Sequence, residues 1–484
     1  MSQHVGELPD DLGSPATAAE STRPVRAESV FSGPYRALSL GVILSVGMVA
    51  FESLGVATVL PDIARSLDGL GAYGWGLSAL MLANIIGTVL AGRAADRRGP
   101  WGPATAGMAV FAVGCAAAGA AGSWPLFLAG RFLQGLGVGA VMAMAYTVIG
   151  LAYPEHLRAR MFALLSSAWT IPSLIGPVVA GTLADSTTWR AVFLLMLPIV
   201  AIAALLTLPG LRRLERPQAR TGAAPAEPWW KGPLASAVLL TLGTGVLLQA
   251  LLLENMVLLV VLAVAGIAVA LPALRRVTPE GTLTARAGLG AGVVIRGLLC
   301  GVYFGSEAYL PLGLQELRGQ SAWAAGLGLS AGAIAWVVGS AWQAKRDTAA
   351  GGRTGSVALG FVVLLLGVGV IALSILTESV PAWCAVVGWA VGGIGMGVAF
   401  NAATTDTLEQ TPAERQGEMS GALQLAQTLA TGVIAGLGGA ALAIAEHYDS
   451  TTRTALAGLF AVTALLALIG VLLSRRLRPA ATTG

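Results

Sequence analysis

Charge is what this sequence has least of. Asp, Glu, Lys and Arg make up 11% of its 484 residues, where a soluble domain carries about 25%, so an ordinary water-soluble enzyme or binding module is excluded. Lysine is nearly missing, with Lys231 and Lys345 alone. The three histidines, His4, His156 and His447, fall in the tail or in loops, which excludes a histidine relay at mid-membrane. Cys115, Cys300 and Cys384 sit in apolar segments at unrelated spacings, so they read as packing thiols rather than a disulfide framework or metal cluster. The loops hold neither a nucleophile–base pair nor a Gly-x-x-x-x-Gly-Lys phosphate loop. Enzymatic chemistry, ATP drive, a cofactor and a metal are therefore not expected.

Hydrophobic residues fill the space that charge leaves, at 55% of the chain, with a mean hydropathy of +0.76. Many runs reach the roughly 18 apolar residues that a spanning helix needs. The net charge of +4 would suit a nucleic-acid partner, but the bases lie in short segments between apolar runs. That placement belongs to membrane topology and makes the lipid bilayer the partner, with no nucleic acid. The polar stretch before the first run contains Pro9, Pro15 and Pro24 and lacks the basic-then-apolar order of a signal peptide.

Fourteen spanning helices are expected, at 37–61, 74–93, 102–122, 125–150, 159–183, 190–210, 233–253, 256–274, 288–314, 322–343, 355–377, 381–403, 418–445 and 453–474. Twenty-three Lys and Arg residues fall on the side of the N-terminus. Four, Arg65, Arg190, Arg318 and Arg453, fall on the other, so both termini are expected in the cytoplasm. The organisation read from this pattern starts with a disordered cytoplasmic tail (1–36), a six-helix bundle (37–210) and a cytoplasmic linker (211–232). An inserted transmembrane hairpin (233–274), a second linker (275–287), a second six-helix bundle (288–474) and a cytoplasmic tail (475–484) complete it.

An internal repeat supports two related halves. Gly135, Gly137 and Gly139 recur at Gly393, Gly395 and Gly397, an offset of 258. The same offset superposes Pro154 on Pro412, Met161 on Met419, Leu165 on Leu423 and Gly181 on Gly439. It exceeds the length of six helices by the inserted hairpin, which crosses twice and leaves both halves in one orientation. Parallel six-helix halves enclose a central cavity in many carriers.

Two acids stand deep inside expected spans, Glu52 and Glu307, and two bases, Arg131 and Arg296. A charge at the bilayer centre costs on the order of 3 kcal/mol, so each needs a partner or a wet cavity. Glu52 and Arg131 both lie about eight residues from the same membrane face, roughly 12 Å deep at about 1.5 Å per residue, and could pair. Either they form a protonatable site tuned by the arginine, or a static ion pair that fixes packing. Arg296, Cys300, Tyr303 and Glu307 form one helical stripe that could line the cavity. Arg296 and Glu307 are too far apart along the axis to pair, and Arg296 could instead snorkel to the surface.

Four motifs in order resemble the major facilitators, specifically their fourteen-helix drug:proton antiporter branch, over residues 37–474. Glu52 stands nine residues before Pro61, where the family has an acid, usually Asp, at that spacing. Gly92, Asp96, Arg97 and Gly99 are similar to the family's gating loop, with Pro100 and Trp101 in place of its usual basic pair. Arg131, Gln134, Gly135 and Gly137 are similar to its proton-coupling motif. Gly176, Pro177 and Gly181 are similar to its antiporter motif, with Ala180 and Pro172 in place of glycines, and Trp189-Arg190 also fits. The resemblance implies an all-α membrane fold of two bundles plus the hairpin, and alternating access.

The expected function is proton-coupled antiport of small amphiphilic organic compounds by a monomer. Protons would act at Glu52 and Arg131. Substrate would meet Glu307, Tyr303, Arg296, Gln134, Gln424 and Gln427 in a mostly apolar cavity. A dedicated exporter of one secondary metabolite or lipid, and a receptor built on a transporter fold, are the competing readings. The Ala-, Gly- and Arg-rich composition points to a bacterial plasma membrane protein.

Overall fold

The computed structural model describes residues 29–478 apart from 34, 155–156, 158–159, 162–163, 166, 215–231, 254, 348–352, 413–414 and 448–450. The first bundle holds α1 (Arg36–Ser66), α2 (Trp75–Arg98), α3 (Trp101–Gly119), α4 (Trp124–Ala152), α5 (Thr170–Ser186) and α6 (Arg190–Leu214). The hairpin is α7 (Pro233–Ala250) and α8 (Met256–Val277). The second bundle holds α9 (Leu289–Leu312), α10 (Ala322–Asp347), α11 (Arg353–Leu376), α12 (Cys384–Glu409), α13 (Gln416–His447) and α14 (Thr452–Leu473). No strand occurs among the described residues. Among the described residues, thirteen spans are long and apolar enough to cross a bilayer. The fifth helix, at 17 residues, is shorter.

The fifth span corrects the expectation of one helix over 159–183. A turn at Ala168 and Trp169 precedes α5. Pro172 carries no N–H to bond the Ala168 carbonyl, which breaks the ladder there. Most other helices run a few residues past their expected ends, α12 furthest, to Glu409. The tail before 29 and most of the linker after α6 lie outside the described residues.

The two bundles repeat one packing plan. In the first, α4 packs on α2 and α3, and α1 on α5 and α6. In the second, α12 packs on α10 and α11, and α9 on α13 and α14. The glycine repeat explains the match. A Cβ at Gly135 would overlap the Leu80 carbonyl of α2, and one at Gly393 would overlap the Gly332 carbonyl of α10. Gly137 abuts Phe111 of α3 as Gly395 abuts Leu364 of α11, and Gly139 meets Asn84 as Gly397 meets Trp336. Successive glycines thus face two neighbours in turn, and each brings a backbone against a backbone.

Lengthening α12 changes the inventory of embedded acids. Asp406, which lies past the expected end of this helix at 403, is a fully buried helical residue. Its carboxylate accepts from Arg478 Nε at 2.6 Å, pairs with Arg478 Nη2 at 2.5 Å and accepts from Gln410 at 2.7 Å. The pair pins the chain after α14 to the end of α12. Its partners are unequal, because the Arg478 side chain is 52% exposed and Asp406 is 0% exposed. Removing the arginine strands a buried carboxylate, whereas removing the acid frees a hydrated guanidinium. Arg478→Ala should therefore lower the melting temperature in detergent more than Asp406→Asn does. The double variant should fall above Arg478→Ala alone.

Candidate functional site

Glu52 stands midway along α1, and Arg131 two turns into α4. The close approach of α4 to α2, made possible by Gly135 and Gly139, carries the arginine into the space between α1 and α2. Both side chains are 1% exposed and form an ion pair. Arg131 spends its fork on three acceptors: Glu52 Oε1, Gln134 Oε1 at 2.9 Å and the Gly76 carbonyl at 2.8 Å. Gln134 Nε2 in turn donates to Cys115 Sγ at 3.2 Å. The second carboxylate oxygen, Glu52 Oε2, is buried without a hydrogen-bond partner. A buried carboxylate with one bound and one free oxygen can receive a proton at the free oxygen, which makes this a candidate protonation site.

Gln134, expected among the substrate contacts, partners Arg131 in this structure. It is fully buried, and its amide is occupied by Arg131 and Cys115 inside the first bundle. The depth argument that paired Glu52 with Arg131 agrees with the geometry.

The second bundle holds different chemistry at the matching place. Adding 258 to Arg131 reaches Trp389, which is fully buried and stacks on Tyr303 at 4.4 Å between ring centroids and 24° between planes. Tyr303 also meets Trp336 and Phe304 edge-on. Arg296 does not snorkel. It donates to Thr404 Oγ1 at 2.6 Å and Gln427 Oε1 at 3.0 Å, and its guanidinium lies 3.4 Å from the Phe400 ring centroid. Glu307 is 7% exposed, and among the described residues no base pairs with it. Gln424 is exposed on α13. The stripe on α9 thus carries one cation and one acid, each held apart from a counter-ion among the described residues, with the buried Tyr303–Trp389 stack between them.

The expected gating residues separate into two groups. Gly99 ends α2 with φ +82°, a conformation that favours glycine. A Cβ at Gly92 would meet nothing within 4 Å, and Arg97 is exposed. The Asp96 side chain lies outside the described residues. The second group sits between the halves. Pro177 abuts Gly326 of α10, and a Cβ at Gly181 would lie 2.7 Å from the Ala322 carbonyl. Gly176 faces inward to the first bundle instead, buried against Phe51 of α1.

Polar contacts described between the halves gather at one end of the molecule, the end where α1 finishes. Ser78 donates to the Gly432 carbonyl at 2.7 Å and Tyr73 to the Ala308 carbonyl at 3.2 Å. Gln315 donates to the Thr58 carbonyl at 3.2 Å. Arg65 reaches Gln315 at 3.0 Å and Glu316 at 3.2 Å. Asp185 accepts from the Trp323 amide at 3.0 Å. Sequence reasoning missed Tyr73, Ser78 and Gln315, because single polar residues near helix ends carry no distinguishing pattern. A Gly74→Val change would press on the Ala435 carbonyl and Gly439. It should loosen this seal, read as faster labelling of a cysteine at Gln315 by a water-soluble maleimide.

Residues 40–435 match the sequence model of the Major Facilitator Superfamily. The multidrug transporter protein MdtP of Bacillus subtilis is 31% identical over 175 residues, 36% of this chain and 32% of that protein. The MFS efflux transporter aclA of Aspergillus oryzae is 27% identical over 222 residues, 46% of this chain and 40% of that protein. These matches span well under half the length of either relative. Among solved structures, a D-xylose–proton symporter superposes with a TM-score of 0.65 at 14% identity, covering 92% of this chain and 98% of that one. An auto-inhibited POT family peptide transporter gives 0.66 at 16% identity, with coverage of 92% and 98%. At such identities the likeness shows the fold alone.

Proposed function

This chain belongs to the major facilitator superfamily, and on that premise we propose that it is a secondary exporter trading inward-moving protons for outward-moving amphiphilic molecules. The observation that carries this reading is the buried Glu52–Arg131 pair with its free Oε2. Arrival of a proton on Glu52 removes the charge that Arg131 faces and weakens the attachment of α1 to α4. The excess of basic residues beside the termini supports cytoplasmic termini in a bacterial plasma membrane. On that orientation the end that carries the described polar contacts between the halves is the outer one. A proton from outside favours the inward-facing state; its release inward, with substrate taken from the cytoplasm or inner leaflet, favours the return.

The protein works as a monomer on this reading, since each chain has both halves. Its substrates are amphiphilic because the half-buried rings of Trp336 and Phe400 offer apolar surface beside the isolated charge of Arg296. The test is transport in proteoliposomes under an imposed pH gradient. Glu52→Gln preserves shape but removes the ionisable group, so drug movement should lose its response to the gradient. Undiminished gradient-driven export by Glu52→Gln would end this mechanism.

A second reading, export of one dedicated product, draws support from relatives such as the Acurin A biosynthesis cluster MFS-type transporter of Aspergillus aculeatus, 27% identical over 184 residues. Flux measured across several chemically unrelated dyes and antibiotics separates the two: broad export favours the first, a single transported compound the second.

A further inference from the structure

The two seams between the halves are built alike and finished differently. One is α2 against α13, the other α5 against α10. Their equivalence rests on the repeat: Gly87 packs on the Leu136 carbonyl as Gly339 packs on the Ile394 carbonyl. The offset is 252 for α2 onto α10, and it remains 258 for α5 onto α13. At the end that carries the polar contacts the seams match, with Gly74 against Gly439 in one and Gly326 beside the Pro177 turn of α5 in the other.

Further along they diverge. Leu82 and Ile85 of α2 are 2% and 5% exposed, whereas their counterparts on α10, Ile334 and Val337, are 50% and 47% exposed. On the partner helices, Leu429 of α13 is half-buried, while its counterpart Ile171 of α5 is 67% exposed.

The inserted hairpin makes this difference. Leu248 and Ala237 of α7 cluster with Leu82 and Ile85, and Leu425 and Leu429 of α13 pack on the same cluster. Thr241 donates to the Leu82 carbonyl at 3.1 Å, and Leu248 fills the notch at Gly436 of α13. One helix therefore touches both halves across the seam. Behind it α8 packs on α7 through Gly243 and Gly266 and turns an aliphatic face outward.

We propose that the α7–α8 hairpin is a lateral cover that closes the α2/α13 seam to lipid, leaving the α5/α10 seam as the side door through which a bilayer-dissolved amphiphile reaches the centre. The side door rests on the exporter reading; the cover does not. Such a molecule is concentrated in the hydrocarbon region before it meets the protein, so a seam flanked by the exposed aliphatic side chains of Ile171, Ile334 and Val337 suits its entry.

The test uses full-length protein in membranes with Cys115, Cys300 and Cys384 replaced by alanine. Single cysteines at Ile171, Val337, Leu82 and Ile85 are challenged with a bulky lipophilic maleimide. Ile171→Cys and Val337→Cys should react at least about tenfold faster than Leu82→Cys and Ile85→Cys. Adding Thr241→Val and Leu248→Ala should raise the rate at Leu82→Cys, which also shows that the slow site is folded and reactive. Equal rates at the two seams, or no gain when the hairpin is loosened, overturn the cover. Labelled Ile171→Cys should export a bilayer-partitioning fluorescent amphiphile several-fold more slowly than the same protein unlabelled; unchanged export overturns the side door. Unlabelled protein that exports no amphiphile speaks against the exporter reading instead, while the labelling ratio still decides the cover.

Discussion

Arg131→Met should be the most damaging single change in the first bundle. It leaves the Glu52 carboxylate 1% exposed with no counter-ion, and removes the bonds that the guanidinium donates to the Gly76 carbonyl and the Gln134 side-chain oxygen. Breaking a buried pair by removing one partner costs about 3–5 kcal/mol. The expected result is a marked fall in melting temperature together with loss of export to background. Glu52→Gln should lose coupling and also lower the melting temperature, since it leaves Arg131 charged and 1% exposed, but by less than Arg131→Met because the new amide oxygen can still accept from the guanidinium. Arg131→Lys should resemble Arg131→Met in activity, because one ammonium cannot hold a side-directed carbonyl and two side-chain acceptors in the geometry of a planar fork. Equal stability of Arg131→Met and wild type would show that the pair adds nothing to packing. The double variant Glu52→Gln/Arg131→Met should recover part of the lost stability but none of the coupling.

Gly135→Val and Gly393→Val should each reduce the yield of folded protein about tenfold or more. At both sites the added Cβ overlaps a backbone carbonyl of the neighbouring helix, and a backbone cannot step aside as a side-chain tip can. Overpacking of this kind costs about 1–3 kcal/mol or more, because the clash propagates along the helix. Gly150→Val provides the control within α4, since a Cβ there would meet nothing within 4 Å. Its yield, measured by fluorescence-detected size exclusion, should match wild type. Loss at Gly135 without loss at Gly393 would mean that the two halves do not share their packing.

Much of this arrangement was legible in the residue order. The glycine repeat located α4 and α12, and the equal depths of Glu52 and Arg131 anticipated their pairing, because depth along a helix follows from residue count alone. Legibility failed where an outcome depended on partners distant in the chain. Asp406 did not stand out as an embedded acid because α12 was expected to end at 403; its partner Arg478 lies 72 residues away. The bonds of Gln134 to Arg131 and Cys115 could not be read, because polarity does not report which way a side chain points. The break before α5 was hidden in a run whose hydropathy is continuous, although Pro172 marks its place. The unlike finish of the two seams could not be read at all, since it depends on where a hairpin from the middle of the chain comes to rest.

The touching backbones around α4 and α12 have a mechanical consequence. With no layer of side chains between them, neighbouring helices have nothing compressible to absorb a local shift, and dense interiors transmit strain rather than dissipate it. Each half should then behave as a stiff lever. A small displacement begun beside Arg131 would reach the far tips of α2 and α5 nearly undiminished, leaving the compliance to the thin contacts where the levers meet.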